Sequence, residues 1–205
     1  MHNPDTTTPR SEKDIDEAVK DTFPASDPPS FMSGSTAAPT AATVDHAART
    51  AESTVTIYRV VGEDQREKPF GAGAAQGSGR WTSKGAPAVY ASTTAGTALL
   101  EFLAHCESAP PAEIHIASAH LPKDRLTELT SYPAQWRERP YRADVQAIGD
   151  EWVRSHRSLG LQVPSALCEG ACNVLINPAH VDAPLLQQVE VRTMTLDERL
   201  RRIGG

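Results

Sequence analysis

The chain has 205 residues, enough for one domain with a substantial hydrophobic core. Its formal charge of −6 argues against a general affinity for nucleic acid, whose phosphates reward a basic face. Three cysteines (Cys106, Cys168 and Cys172) without an apolar N-terminal leader argue against a disulfide framework. No stretch approaches membrane-spanning length, so the cytoplasm is the expected compartment.

Residues 1–53 have the composition of a largely disordered arm, rich in Thr, Ser, Pro, Ala and Asp, with Phe23 and Phe31 as the only aromatics. Such a segment buries too little apolar surface to offset the entropy of ordering. One island departs from this: Ile15, Ala18, Val19 and Phe23 fall on one helical stripe, Ser11 can cap it, and Pro24 stops it. It reads either as a transient helix or as a docking helix, for a partner or for the protein's own groove.

Residues 54–205 form the expected domain. β-branched residues at 55–61 predict a strand, interrupted by Arg59. Residues 70–81 are a Gly-rich loop, and residues 88–91 a short strand. Ser92 or Thr93 can cap a helix running to His105, with Leu99, Leu100, Phe102 and Leu103 supplying most of its apolar surface. Residues 114–120 predict another strand, followed by a polar loop and a helix over 144–158 with Val145, Ile148 and Trp152 on one side. Strands over 161–163, 173–176 and 189–193 complete a sheet. The mixture lacks regular βαβ spacing, which points to an α+β fold.

The spacing of Gly71, Gly73, Gly77 and Gly79 does not match the dinucleotide fingerprint. Glycines still let backbone N–H groups approach a phosphate, and Arg80, directly after them, offers a guanidinium fork. Arg59 either faces solvent or reaches into a cleft; Lys84 reads as a solvated loop residue. Glu101 is the single charge in residues 98–104 and shares a helical face with Ala98 and His105. It either faces solvent or lines a pocket with Tyr90 and Arg80, where its carboxylate could stabilise positive charge on a sugar ring. Tyr90 is either a core tyrosine or an aromatic face for a ligand. Ser165 fits a hydrogen-bond donor at a strand end, not an elbow nucleophile, since no Gly-x-Ser-x-Gly turn surrounds it. Asn173 holds either substrate or a loop. No metal site is expected: Cys168 and Cys172 lack a second pair, His105 and Cys106 diverge on a helix, and His115 and His120 differ in strand parity.

Arg80, Tyr90 and Glu101 stand ten and eleven positions apart, followed by Val163-Pro164-Ser165 and the segment 173–178, Asn-Val-Leu-Ile-Asn-Pro. This ordered series resembles the RES domain, a bacterial family whose members are typically toxins that destroy NAD. The resemblance covers roughly residues 56–195. It implies an ADP-ribosyltransferase-like split mixed sheet with flanking helices around an NAD cleft, and cleavage of the nicotinamide–ribose bond as glycohydrolase or phosphorylase. It implies Arg80, Tyr90, Glu101 and Ser165 as catalytic residues, and Arg59, Arg80, Tyr90, Gly79, Trp81 and Asn173 as NAD-binding residues. NAD would be a substrate, no metal would be needed, and a helical antitoxin would cover the cleft. ADP-ribosyl transfer to a protein, or a catalytically weak binding module, are the alternatives. Two departures stand out: Gly-Gly-Arg-Trp-Asn appears as Ser78-Gly79-Arg80-Trp81-Thr82, and the aromatic after Asn173 is Val174. The first bears on loop geometry near the phosphates.

Overall fold

The computed structural model describes residues 53–74 and 78–202. The amphipathic stripe at 11–23 and the rest of the arm to residue 52 lie outside the described residues, as does Gly77. In chain order the strands are β1 (Thr54–Val61), β2 (Val89–Ser92), β3 (Glu113–Pro122), β4 (Leu126–Glu128), β5 (Gly160–Pro164), β6 (Cys172–Ile176) and β7 (Gln187–Thr195). Helix α1 (Ala95–Ala104) follows β2, and α2 (Ala143–Ser155) precedes β5. The strands form one sheet in the order β4-β5-β6-β2-β1-β3-β7, antiparallel except for the parallel pair β4–β5.

The sheet opens in its middle. β1 pairs with β3 along its whole length, from Thr54 opposite Pro122 to Val61 opposite His115. Against β2 it holds only the pair Tyr58–Ser92. Two half-sheets, β4-β5-β6-β2 and β1-β3-β7, therefore meet at one point and splay apart. This is the α+β architecture with a split mixed sheet and flanking helices that the sequence leads one to expect.

Strand alternation sorts the apolar residues onto two faces. Ile57 and Val61 of β1, Val89 and Ala91 of β2, Ala117, Ala119 and Leu121 of β3, and Val174 and Ile176 of β6 build a core that runs under both halves. On the other face the apolar material divides. Val145, Trp152 and Val153 of α2 pack with Leu161, Val163 and Leu175, joined by Trp81 and Trp136. Across the seam, Leu99, Phe102 and Leu103 of α1 pack against Tyr58, Val60, Ile114 and Ile116. The two helices thus cover separate half-sheets and leave the seam between them open.

Several sequence expectations shift here. Thr94, not Ser92 or Thr93, caps α1, its Oγ1 accepting from the Thr97 N–H at 3.0 Å; Ser92 is still in the ladder. Leu100 is 39% exposed, on the side of α1 away from its packed face. α2 stops at Ser155, because His156 turns into the left-handed region (φ 46°). The polar loop after β3 contains β4, whose pairing with β5 extends the sheet by one short strand.

Candidate active site

Glu101 projects from the middle of α1 into the seam, where two donors converge on its Oε1: Asn173 Nδ2 at 2.6 Å and Ser165 Oγ at 3.0 Å. Among the described residues no donor is placed on Oε2. Each donor is itself held. Asn173 sits opposite Ser92 in the β2–β6 ladder, and the Ser92 hydroxyl donates to Asn173 Oδ1 at 2.7 Å. That bond orients the amide so that its NH₂ faces the carboxylate. Ser165 lies just past the end of β5, and its Oγ accepts from the Leu167 and Cys168 N–H groups at 3.2 and 3.3 Å. With both backbone N–H groups on its lone pairs, the hydroxyl proton is directed at Glu101. A carboxylate bonded on one oxygen and bare on the other is thus fixed at the mouth of the seam.

Around Glu101 the cleft encloses about 930 Å³, part of it open to solvent. Its charged walls are Arg59, Arg80 and Arg139, against the single carboxylate of Glu101. Among the described residues none of these arginines has an ion-pair partner. Arg59, only 7% exposed, donates from Nη1 to the Pro69 carbonyl at 2.8 Å. Burial pushes its guanidinium down to about 10. Arg80 donates from Nη1 to the carbonyls of Trp136 (2.7 Å) and Glu138 (3.1 Å), and its guanidinium lies 5.1 Å from the Tyr141 ring centre and 5.8 Å from that of Trp136. Both bonds use one nitrogen, so Nη2 and Nε remain for an anion. Partial burial lowers its pKa as well.

Tyr90 lines the cleft beside Arg80, and its hydroxyl is engaged: it accepts the Trp81 N–H at 3.2 Å and shares a 2.9 Å bond with Thr82 Oγ1. Burial pushes its phenol up to about 12. The ring, rather than the hydroxyl, is what Tyr90 has to offer a ligand. Gly79 packs against that ring, where a Cβ would collide with the Tyr90 hydroxyl. The Gly79 N–H is spent on the Thr82 carbonyl at 3.0 Å, so this glycine is required for close approach and not for a free donor. Trp81 borders the cleft but buries its indole, stacked on Trp136 with ring centres 5.3 Å apart and edge-on to Tyr132. The two departures from the resembled pattern fall differently. Thr82 closes the turn by bonding Tyr90, whereas Val174 points into the core on the face opposite Asn173.

The structure brings Arg59, Gly79, Arg80, Trp81, Tyr90, Glu101 and Asn173 to one cleft, with Ser165 behind Glu101. Sequence reasoning missed Ser92, Arg139 and Tyr141. The last two come from the polar loop, where the run Trp136-Arg-Glu-Arg-Pro-Tyr-Arg was the available signal. His115 and His120 are bound up locally: His115 Nδ1 lies 2.9 Å from Thr193 Oγ1 and His120 Nδ1 3.2 Å from Thr56 Oγ1. Lys84 lies in the loop after Arg80 and does not line the cleft.

Comparison with known proteins bears on this geometry. The family model for the RES domain matches residues 56–197. The chain is 34% identical over 150 residues to Toxin Res of Yersinia enterocolitica, covering 71% of this chain and 99% of that protein. It is 32% identical over 138 residues to the Prs ADP-ribosylating toxin of a Sphingobium species, covering 64% of this chain and 86% of the other. In fold it is similar to a chain in the crystal structure of the M. tuberculosis MbcT–MbcA toxin–antitoxin complex, with a TM-score of 0.56 and 20% identity, over 74% of this chain and 93% of that one.

Proposed function

This chain belongs to the RES domain family, and we propose that it is a toxin-type enzyme that consumes NAD by cleaving the nicotinamide–ribose bond. The observation that carries this reading is a single carboxylate, held by two donors on one oxygen, in a cleft whose other charges are arginines without an ion-pair partner among the described residues. The glycosidic C–N bond breaks with its electron pair leaving on the nicotinamide nitrogen, so a cationic leaving group departs neutral and needs no proton. The ribosyl centre gains positive charge as this happens. The fixed Glu101 carboxylate stabilises it through Oε2, with Asn173 and Ser165 supporting the geometry from behind. Arg59, Arg80 and Arg139 hold the diphosphate, so that binding energy remote from the reacting bond is used for positioning. The Tyr90 ring offers a face to the nicotinamide or ribose. The acceptor's nucleophilic atom then bonds the ribosyl carbon, and any proton that atom carries passes to solvent.

With water or phosphate as acceptor the enzyme is a glycohydrolase or phosphorylase. Transfer to a protein side chain is the second reading, favoured by the name of the Sphingobium relative, an ADP-ribosylating toxin. An antitoxin is the expected partner, by analogy with the complex of similar fold; a helical protein laid over the seam would block it. The cytoplasm, where NAD is abundant, is where such an enzyme would act. Purified protein incubated with NAD, with and without phosphate, should release nicotinamide and yield ADP-ribose or its 1-phosphate. Label retained on protein would favour the second reading, and intact NAD in every arm would overturn both.

A further inference from the structure

Helix α2 reaches the arginine loop through a polar face that no step of the proposed chemistry uses. Gln146 and Asp150 stand one helical turn apart, with Gly149 beside them. Gln146 Nε2 lies 2.9 Å from the Gly79 carbonyl, 3.2 Å from the Thr82 carbonyl and 3.3 Å from Ser78 Oγ. The Asp150 carboxylate takes both donors of Ser83, the backbone N–H on Oδ1 at 2.9 Å and the hydroxyl on Oδ2 at 2.6 Å. Between them, a Cβ on Gly149 would run into the Trp81 carbonyl and approach Thr82 Cγ2 to 3.0 Å. A glycine inside a helix is unfavourable relative to alanine, so position 149 gives up helix stability for close approach to this loop. These contacts grip the backbone on both sides of Arg80, while none of the three residues lines the cleft.

We propose that Gln146, Gly149 and Asp150 form a clamp that positions Arg80 for its anionic ligand and thereby sets the KM for NAD. This rests on the reading of Arg80 as a diphosphate ligand. The clamp acts at a distance from the reacting bond, through the loop backbone. Arg80 Nη1 is already tied to the carbonyls of Trp136 and Glu138, so the guanidinium is anchored at its tip and the clamp anchors its base. Both anchors are needed to hold a long side chain in one geometry, and an ångström of misplacement at a bound substrate is enough to matter.

The test uses Asp150→Ala, Asp150→Asn and Gln146→Ala in the full chain, each alone and each combined with Arg80→Ala. Loss of the charge-assisted Asp150 bonds should raise KM by about tenfold and loss of the neutral Gln146 bonds by several-fold, with kcat little changed. In the Arg80→Ala background the same substitutions should add almost nothing, because the residue they position is gone. An unchanged KM, or an equal penalty with and without Arg80, would overturn the clamp and leave these residues as ordinary contributors to stability. Asp150→Asn keeps the shape of the side chain should Asp150→Ala fail to fold. Hydrogen exchange over residues 78–83 reads the clamp without NAD: faster exchange in Asp150→Ala supports it, and unchanged exchange overturns it. A parent protein that releases no nicotinamide would instead count against the NAD reading itself, which keeps the two failures apart.

Discussion

Glu101 shows how far one side chain is defined by its neighbours. Ser165 and Asn173 both point at Oε1, and both are oriented by further bonds, to the Leu167 and Cys168 N–H groups and to the Ser92 hydroxyl. Glu101→Gln keeps an acceptor oxygen for these donors and removes only the charge. NAD should therefore still bind while nicotinamide release falls by about a hundred- to a thousandfold, the usual effect of deleting one transition-state stabiliser. Calorimetric NAD affinity set beside the release rate checks this; a rate close to the parent's would remove Glu101 from the chemistry. Glu101 was legible in the sequence because it is a lone charge within an apolar helix segment, and Arg80 because it directly follows a glycine-rich run. Arg139 and Tyr141 were not. They lie in a loop without periodicity, and only its tertiary contact with Arg80 brings them to the cleft. In the sequence Ser92 reads equally well as a cap, since a serine before a helical run fits that role until the ladder claims it.

At the level of elements, the cleft exists because β1 and β2 share one pair and then part. No local pattern announces this. The strands themselves were legible from β-branched residues, but their order and their single point of contact are set by which apolar faces each helix covers. β4 escaped for a related reason: three residues in parallel pairing, two of them exposed, carry no alternation to read. The end of α2 is a third case. The chain places His156, not glycine, at a left-handed position with φ 46° and ψ 33°. Such a conformation costs a non-glycine residue roughly 1 kcal/mol. Its side-chain contacts are thin, a 3.5 Å approach of Nδ1 to Asn177 Nδ2 and a tilted ring 6.2 Å from that of His180. His156→Gly removes the strain, which the greater unfolded-state entropy of glycine only partly offsets, so the melting temperature should rise by about 1–3 °C. Thermal unfolding decides it; a lower melting temperature would show that the imidazole contacts outweigh the backbone strain.

Taken as a whole the molecule is acidic, at −6, yet it gathers three arginines, without acidic partners among the described residues, into one cleft beside Glu101. Net charge argues against a polyanion spread over the surface, but it averages away a local site of this kind, which only the fold assembles. Such a site is costly when empty. Arg59 is buried, its guanidinium is pushed down to about 10 by desolvation, and among the described residues its side chain bonds a neutral carbonyl, that of Pro69. On the proposed reading a bound diphosphate would supply the missing anion and link ligand affinity to fold stability through this residue. ADP-ribose, which offers the diphosphate without the scissile bond, should therefore stabilise the native state by about 2.7 kcal/mol at a hundred times its Kd, a rise of roughly 5–10 °C for a domain of this size. Arg59→Met should behave differently in the two states. Without ligand it should melt close to the parent, because removing a buried charge that has no acidic partner among the described residues offsets the loss of its bond to the buried Pro69 carbonyl. With ADP-ribose at the concentration used for the parent, most of the shift should be lost. Melting curves of both proteins, with and without ligand, give the four values required; a shift in Arg59→Met equal to the parent's would mean that the diphosphate does not meet Arg59.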